Sequence, residues 1–323
     1  MSLLKDEVVD LSLSPGMKVS EIVEQMGRSG GFTARFISDA VEVLEQMIRD
    51  EASVNFLAFP AAIVSTGIRG ILKDMVKRGF FDVIITTGGT VDHDIARCYA
   101  KYYSGHFEAD DEQLYEMGIH RLGNVFIPLD SYGPLIEEKT RKWVREAISN
   151  LGRRFSPSEL LDFIGERMCE GSILRAAHDR RVPVFSPGLL DSSFGTAISF
   201  LREEVEFELD FVKDMLKLAH LSFNMEKSGA LILGGGISKH HTIWWNQFKG
   251  GLDYVVYVTT AVEWDGSLSG AREREAISWG KVSKGAKRAF VPGEVTALLP
   301  FMYVALLERL SGFSREGRLT NLK

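Results

Sequence analysis

The sequence predicts an α/β protein: a doubly wound, mostly parallel sheet of Rossmann-like type with helices on both faces. Two observations predict it. Short β-branched apolar runs end in glycine-rich or Pro-Gly loops, and helical patterns alternate with those runs along the chain.

The best-defined unit spans Gly67 to Asp94. Ile68, Ile71, Leu72, Met75 and Val76 recur at helical spacing, and Gly79 stands where a C-cap is expected. A short apolar run, Phe80 to Thr87, follows and ends in Gly88-Gly89, the pattern of a buried parallel strand feeding a ligand loop. The same order recurs at Val182 to Phe185 before Ser186-Pro187-Gly188, at Ala230 to Leu233 before Gly234-Gly235-Gly236, and at Tyr254 to Thr260 before Asp265-Gly266. The clearest intervening helix is predicted over Glu203 to His220, with Val205, Leu209, Val212 and Leu216 on one stripe and acidic residues near its amino end. Ligands of such sheets bind beyond the carboxyl ends of the strands, where all of these loops fall.

Residues 1–30 are less regular. Ser14-Pro15-Gly16 reads as a turn before a short helix around Val19 to Met26, so this stretch is expected to be an N-terminal arm or short helical extension, with residues 31–323 a single domain. Residues 107–180 read as mostly helical and polar. Thr140 to Ile148 is predicted helical, and Ser156-Pro157-Ser158-Glu159 is a good helix start because proline is tolerated in a first turn.

Composition narrows the function. A hydrophobic share of 45% with 25% charged residues is that of an ordinary globular protein and excludes a disordered or fibrous chain. The net charge of -6 argues against nucleic acid as a partner and suits a cationic substrate or a basic protein. Cys98 and Cys169 stand far apart in sequence, so neither a disulfide framework nor a CxxC metal site is expected. The first ten residues carry Lys5, Asp6, Glu7 and Asp10, unlike a signal peptide, and no stretch approaches a membrane span, so a cytoplasmic protein without a membrane partner is expected.

Three segments hold candidate chemistry. Gly234-Gly235-Gly236 is not a GxGxxG fingerprint and serves a tight strand-to-helix turn as well as a dinucleotide site. The adjoining Lys239-His240-His241 sets titratable groups beside that loop, with His240 a candidate acid or base. Asp265 to Arg272 is rich in small polar residues that can offer N–H groups to phosphate or ribose oxygens. Glu275 and Trp279, four apart, are predicted to share a helix face. A carboxylate beside an aromatic face suits an alkylammonium, although a surface salt bridge beside a half-buried tryptophan satisfies the same spacing. Lys281 follows a glycine that can end this helix, and a lysine in a dry site can attack a carbonyl or imine carbon.

Taken in order, these segments resemble the deoxyhypusine synthases. The likeness runs through Gly234-Gly235-Gly236, Lys239-His240-His241, Tyr257, Thr259-Thr260-Ala261, Asp265-Gly266-Ser267, Ser269-Gly270-Ala271 and Glu275 to Lys281. Upstream it includes Gly31 to Ala34, Ser65 to Arg69, Asp82 to Gly89, Gly123-Asn124 and Pro183 to Gly195, so it covers most of the chain. The resemblance implies a cytoplasmic homotetramer that uses NAD to move the aminobutyl group of spermidine, through an imine on Lys281, to a lysine of the translation initiation factor 5A precursor. It implies His240 as the residue that moves protons. Glu275, Trp279, Asp92, Gly235, Tyr257, Gly266 and Ser267 would hold substrate. Ser65, Thr87, Gly88, Gly89, His93, Asp191, Thr260, Ala261, Asp265, Glu294 and Val295 would hold NAD, and no metal is implied.

Several positions depart from the eukaryotic pattern and look like archaeal or prokaryotic forms. Thr196 and Leu268 replace acids, Trp244 replaces an asparagine, Ala61-Ala62 replaces a polar pair, and His93-Asp94 replaces an acidic pair. These changes bear on which amine is used more than on the reaction. Homospermidine synthesis, with transfer to putrescine, would use Lys281 and His240 identically, and another amine such as agmatine also stays open. A non-catalytic NAD-binding regulator would have no need of Lys281, His240 and Glu275 together.

Overall fold

A computed structural model describes residues 6–315. The chain forms two compact units, one from the residues before Phe59 and after Leu221, the other from Phe59 to Leu221. The first unit opens with α1 (Val19–Arg28), α2 (Ala34–Arg49) and β1 (Ser53–Ala58). The second contains α3 (Ile68–Lys77), β2 (Val83–Ile85), α4 (Gly88–Tyr99), β3 (Tyr103–Ser104), α5 (Asp111–Glu116), β4 (Ile119–Leu122) and β5 (Val125–Pro128). It continues through α6 (Gly133–Leu151), β6 (Arg154–Phe155), α7 (Pro157–Gly165), α8 (Ile173–Arg180), β7 (Val184–Phe185), α9 (Ser193–Glu204) and β8 (Glu208–Leu209). The unit boundary falls within α10 (Phe211–Asn224). The first unit then resumes with β9 (Lys227–Leu233), α11 (Gly236–Asn246), β10 (Leu252–Thr259), α12 (Glu275–Ser278), β11 (Val282–Pro292) and α13 (Val295–Arg309).

The fold class read from the sequence holds, with parallel strands and helices on both sides. In the first unit β11, β10, β9 and β1 lie side by side in that order, every pair parallel. All six residues of β1 are buried, as are nearly all of β9 and β10, which is why these strands read as continuous apolar runs rather than alternating ones. Phe56, Leu57 and Tyr257 are at most 1% exposed, and each such side chain contributes about 1.5–3 kcal/mol by burial. The short helix expected near Val19 is α1, which buries Val23 and packs on α2 and α13.

In the second unit β2 and β7 pair in parallel through Ile84–Val184 and Ile85–Phe185. Helices α3, α4 and α8 are tied together by Asp94. Its fully buried carboxylate pairs with Arg69 at 2.7 Å and accepts hydrogen bonds from the Ser172 hydroxyl and from Ile173 and Leu174 N–H at the start of α8. Ser156 and Glu159 form a reciprocal capping box at the start of α7, with Pro157 in the first turn, as the sequence predicts.

The structure corrects two expectations. Cys98 and Cys169 are joined in a disulfide, because the end of α4 and the segment before α8 bring their Cα atoms within 5.6 Å; a sequence separation of 71 says nothing about distance in space. The helix predicted over Glu203 to His220 is interrupted. Val205 is extended, Glu208-Leu209 pairs with Arg154-Phe155, and Phe207 buries its ring against Phe155, so Val212 and Leu216 begin a new helix on its exposed side. Residues 107–180 are mostly helical, as read, through α5, α6, α7 and α8; the hairpin of β4 and β5, to which β3 adds just ahead of this stretch, interrupts them.

Candidate active site

In the first unit, β9 ends at Leu233 and the chain turns directly into α11. Gly235 is required there because Ser269 of the polar loop occupies the place a Cβ would take, while Gly236 N–H donates to the Ser269 hydroxyl at 3.1 Å. The structure therefore gives Gly235 the task of letting the 265–272 loop close on the end of β9. One turn into α11, Lys239 and Ile243 lie on the helix's buried side. A cavity of about 250 Å³ is bounded by these two residues, Tyr257 of β10, the loop residues Glu263, Gly266, Ser267, Leu268, Ala271 and Arg272, and then Glu275, Ala276, Trp279 and Lys281.

Most of the substrate residues implied by the sequence thus converge. Tyr257 is fully buried, and its hydroxyl has no hydrogen-bond partner among the described residues, an arrangement that presents a donor to a ligand. Burial raises its pKa, so it stays protonated. Glu275 is exposed at the cavity and makes no side-chain hydrogen bond or ion pair among the described residues, whereas Glu263 is held by Arg274 at 2.9 Å and Arg272 at 3.3 Å. Helix α12 is only a single turn, with Trp279 as its C-cap rather than a helical residue. Gly280 then adopts a left-handed conformation, φ 68°, which ends the turn and delivers Lys281.

Lys281 enters from an unexpected direction. It precedes Val282, the first residue of β11, whose partner Leu252 begins β10, so it stands at the amino edge of these strands. The side chain is buried, with its Nζ 5.1 Å from the Trp279 ring and 5.7 Å from that of Trp244. His240 stacks on Trp244 at 5.7 Å. Desolvation and then the nearby Lys281 charge lower its pKa, so at neutral pH it is a neutral acceptor of protons.

Sequence spacing points to His240, yet the charged residue most deeply set in this cavity is its neighbour. Lys239 is 1% exposed; its Nζ donates to Ala271 O at 2.7 Å and lies 4.1 Å from the Tyr257 ring. Burial pulls its pKa down to about 8, against the opposing fields of Glu275 and Glu273. Its spacing from Ile243 was the available signal, since a position one turn from an apolar residue on a sheet-packed helix is itself turned inward.

The remaining candidates fall into two groups. At the carboxyl ends of β10 and β11, Gly293 N–H donates to Thr259 O at 2.9 Å, which sets Thr260 and Ala261 beside Glu294 and Val295. Glu294 caps α13 by accepting from Ala297 N–H, and Asp265 accepts from the Ser267 side chain and then from its N–H, which hold its carboxyl below the usual range. The second unit holds the others. Gly88 and Gly89 open α4, so its amino end faces the strand terminus. Thr87 and Ser186, at the carboxyl ends of the paired strands β2 and β7, have buried hydroxyls without hydrogen-bond partners among the described residues. Unpaired hydroxyls beside a helix N-terminus fit a phosphate or ribose oxygen, so these residues suit a dinucleotide.

Ser65 instead donates its hydroxyl to Ala62 O. Asp92 is almost fully buried and accepts from Ser193 N–H, Phe194 N–H and the Tyr132 hydroxyl, so its oxygens hold the start of α9; Asp191 and Thr196 share a cavity with it. His93 bonds the Tyr102 hydroxyl at 2.9 Å, and burial lowers its pKa to about 4, leaving it neutral.

Residues 21–306 match the family model described as Deoxyhypusine synthase. The probable deoxyhypusine synthase of Sulfurisphaera tokodaii is 48% identical over 307 residues, covering 94% of this chain and 98% of that protein. That of Sulfolobus acidocaldarius is 49% identical with the same coverage. A crystal structure from Entamoeba histolytica, assigned as a deoxyhypusine synthase, shares the fold at a TM-score of 0.63 with 20% identity, covering 94% of this chain and 97% of that one. With the match spanning nearly all of its described length, the chain belongs to the deoxyhypusine synthase family and is an enzyme of the transferase class.

Proposed function

We propose that this enzyme uses NAD to transfer the aminobutyl group of spermidine to a lysine of the translation initiation factor 5A precursor, through an imine on Lys281. The observation that carries the reading is the cavity in which a buried Lys281 meets Glu275 and the Tyr257 hydroxyl, neither of which has a side-chain partner among the described residues. When bound, NAD supplies a hydride acceptor for the carbon beside the secondary amine and a hydride donor at the end of the reaction. The residues of this chain do the rest. Glu275 pairs with a substrate ammonium, Tyr257 donates a hydrogen bond, and neutral His240 takes a proton from the reacting amine. The Lys281 amine adds to the imine carbon and 1,3-diaminopropane leaves; the acceptor lysine then adds to the same carbon and frees Lys281. Trp279 and Leu268 limit water at the hydrolysable imine.

The proposal includes a homotetramer in the cytoplasm. The disulfide does not exclude that compartment, since intracellular proteins of hyperthermophiles also carry them.

The test incubates the protein with NAD, spermidine and either the factor 5A precursor or putrescine. Diaminopropane release and the mass of each acceptor are followed, and borohydride traps the enzyme-bound imine for peptide mapping. Gain of mass on the precursor and an adduct at Lys281, lost in Lys281→Ala, are expected. Gain on putrescine alone would overturn the acceptor in favour of homospermidine synthesis. An adduct at Lys239, the other amine of the cavity, would overturn the assignment of Lys281.

A further inference from the structure

We propose that Trp244 is a specificity-determining residue: with Trp279 it clamps the Lys281 nitrogen and holds the positive charge of an aliphatic amine by its indole face. The inference rests on the proposed use of Lys281.

Charge in the cavity is the starting point. A linear amine with two or three ammonium groups needs as many counter-charges, but Glu263 is engaged by two arginines and Leu268 lines the wall with an apolar side chain. Glu275 is the one cavity carboxylate without a partner among the described residues. The rest of the positive charge must meet something else, and aromatic faces attract cations within about 6 Å of the ring centre.

Two such faces are in place. Lys281 Nζ lies 5.1 Å from the Trp279 indole, which lines the cavity, and 5.7 Å from that of Trp244, which stands outside its lining; the two residues are 67% and 41% exposed, so both keep surface for a ligand. Trp244 is held in this pose from two sides, stacked on His240 and set edge-on to Phe248 at 6.1 Å and 84°. The protonated imine on Lys281 carries its charge at the same nitrogen, between the same rings. The clamp therefore favours the cationic covalent intermediate as well as the arriving amine, and residue 244 takes over a task that a carboxylate or amide performs by ion pairing or hydrogen bonding.

The experiment compares wild-type protein with Trp244→Phe, Trp244→Ala and Trp244→Asn, using spermidine and NAD. It reads donor KM, kcat and the borohydride-trapped adduct at Lys281. The alanine and asparagine variants are expected to raise donor KM about three- to thirtyfold, the range of one cation–π contact. Their adduct yield should fall in proportion at sub-saturating donor, with unchanged circular dichroism. Phenylalanine, which keeps an aromatic face, should return KM to within about threefold of wild type. Wild-type KM and adduct yield in the alanine variant would overturn the clamp, as would a phenylalanine variant as defective as alanine. Absence of any Lys281 adduct in the wild type would instead sink the covalent reading on which the clamp depends.

Discussion

Replacing Lys239 by methionine should stabilise the protein at neutral pH, although it removes a hydrogen bond. Lys239 is buried, and its pKa stands at about 8 instead of 10.5. At ~1.4 kcal/mol per pH unit, holding it protonated in the fold costs about 3 kcal/mol. Methionine has similar length and no charge, but it leaves Ala271 O without its donor, a loss of about 1 kcal/mol. The net expectation is a gain of about 2 kcal/mol at pH 7.

The sign of the pH dependence follows from the lowered pKa. Between pH 8 and 10.5 the unfolded chain keeps the Lys239 proton while the folded chain has lost it, so wild-type stability gains from this residue as pH rises. The advantage of the variant should therefore be full below pH 8, shrink through this window and vanish or reverse above 10.5. Denaturant midpoints of both proteins by circular dichroism at pH 7, 9 and 10.5 measure it. A variant less stable at pH 7, or a difference that does not move with pH, would refute the reasoning.

Two further outcomes follow from the same structure. His240→Gln should lower transfer about 10²- to 10⁴-fold. Because the His240 pKa is depressed, the wild-type acid limb should lie below pH 6.5 and be absent from the variant; an acid limb above 6.5 in the wild-type rate profile would count against His240 as the base. Paired Cys98→Ser and Cys169→Ser substitutions open a loop of 71 residues and should cost about 4 kcal/mol by chain entropy, read as a lower thermal midpoint. Two free thiols in the native protein by mass spectrometry would contradict the bond.

Much of the frame was legible in local pattern. The ends of β2, β7, β9 and β10, the cap at Ser156 and the turn at Gly280 are written in consecutive residues, because backbone preferences act over a few positions. The failures share a cause. The stripe from Val205 to Leu216 has helical period, but Phe207 is buried against Phe155 and Glu208-Leu209 pairs with Arg154-Phe155 instead of continuing the helix. Cys98 and Cys169 carry no sequence sign of their proximity.

The site divides along the same line. Sequence alone determined which chemical groups are present, the order of the family's motifs, and that a glycine would end the turn before Lys281. Tertiary structure alone decided that Lys239 is buried with a pKa near 8, that the Tyr257 hydroxyl has no partner among the described residues, and that Lys281 reaches the cavity from the amino edge of the sheet between two indoles. Desolvation and cation–π attraction depend on what surrounds a group in space, and residues distant in sequence supply those surroundings.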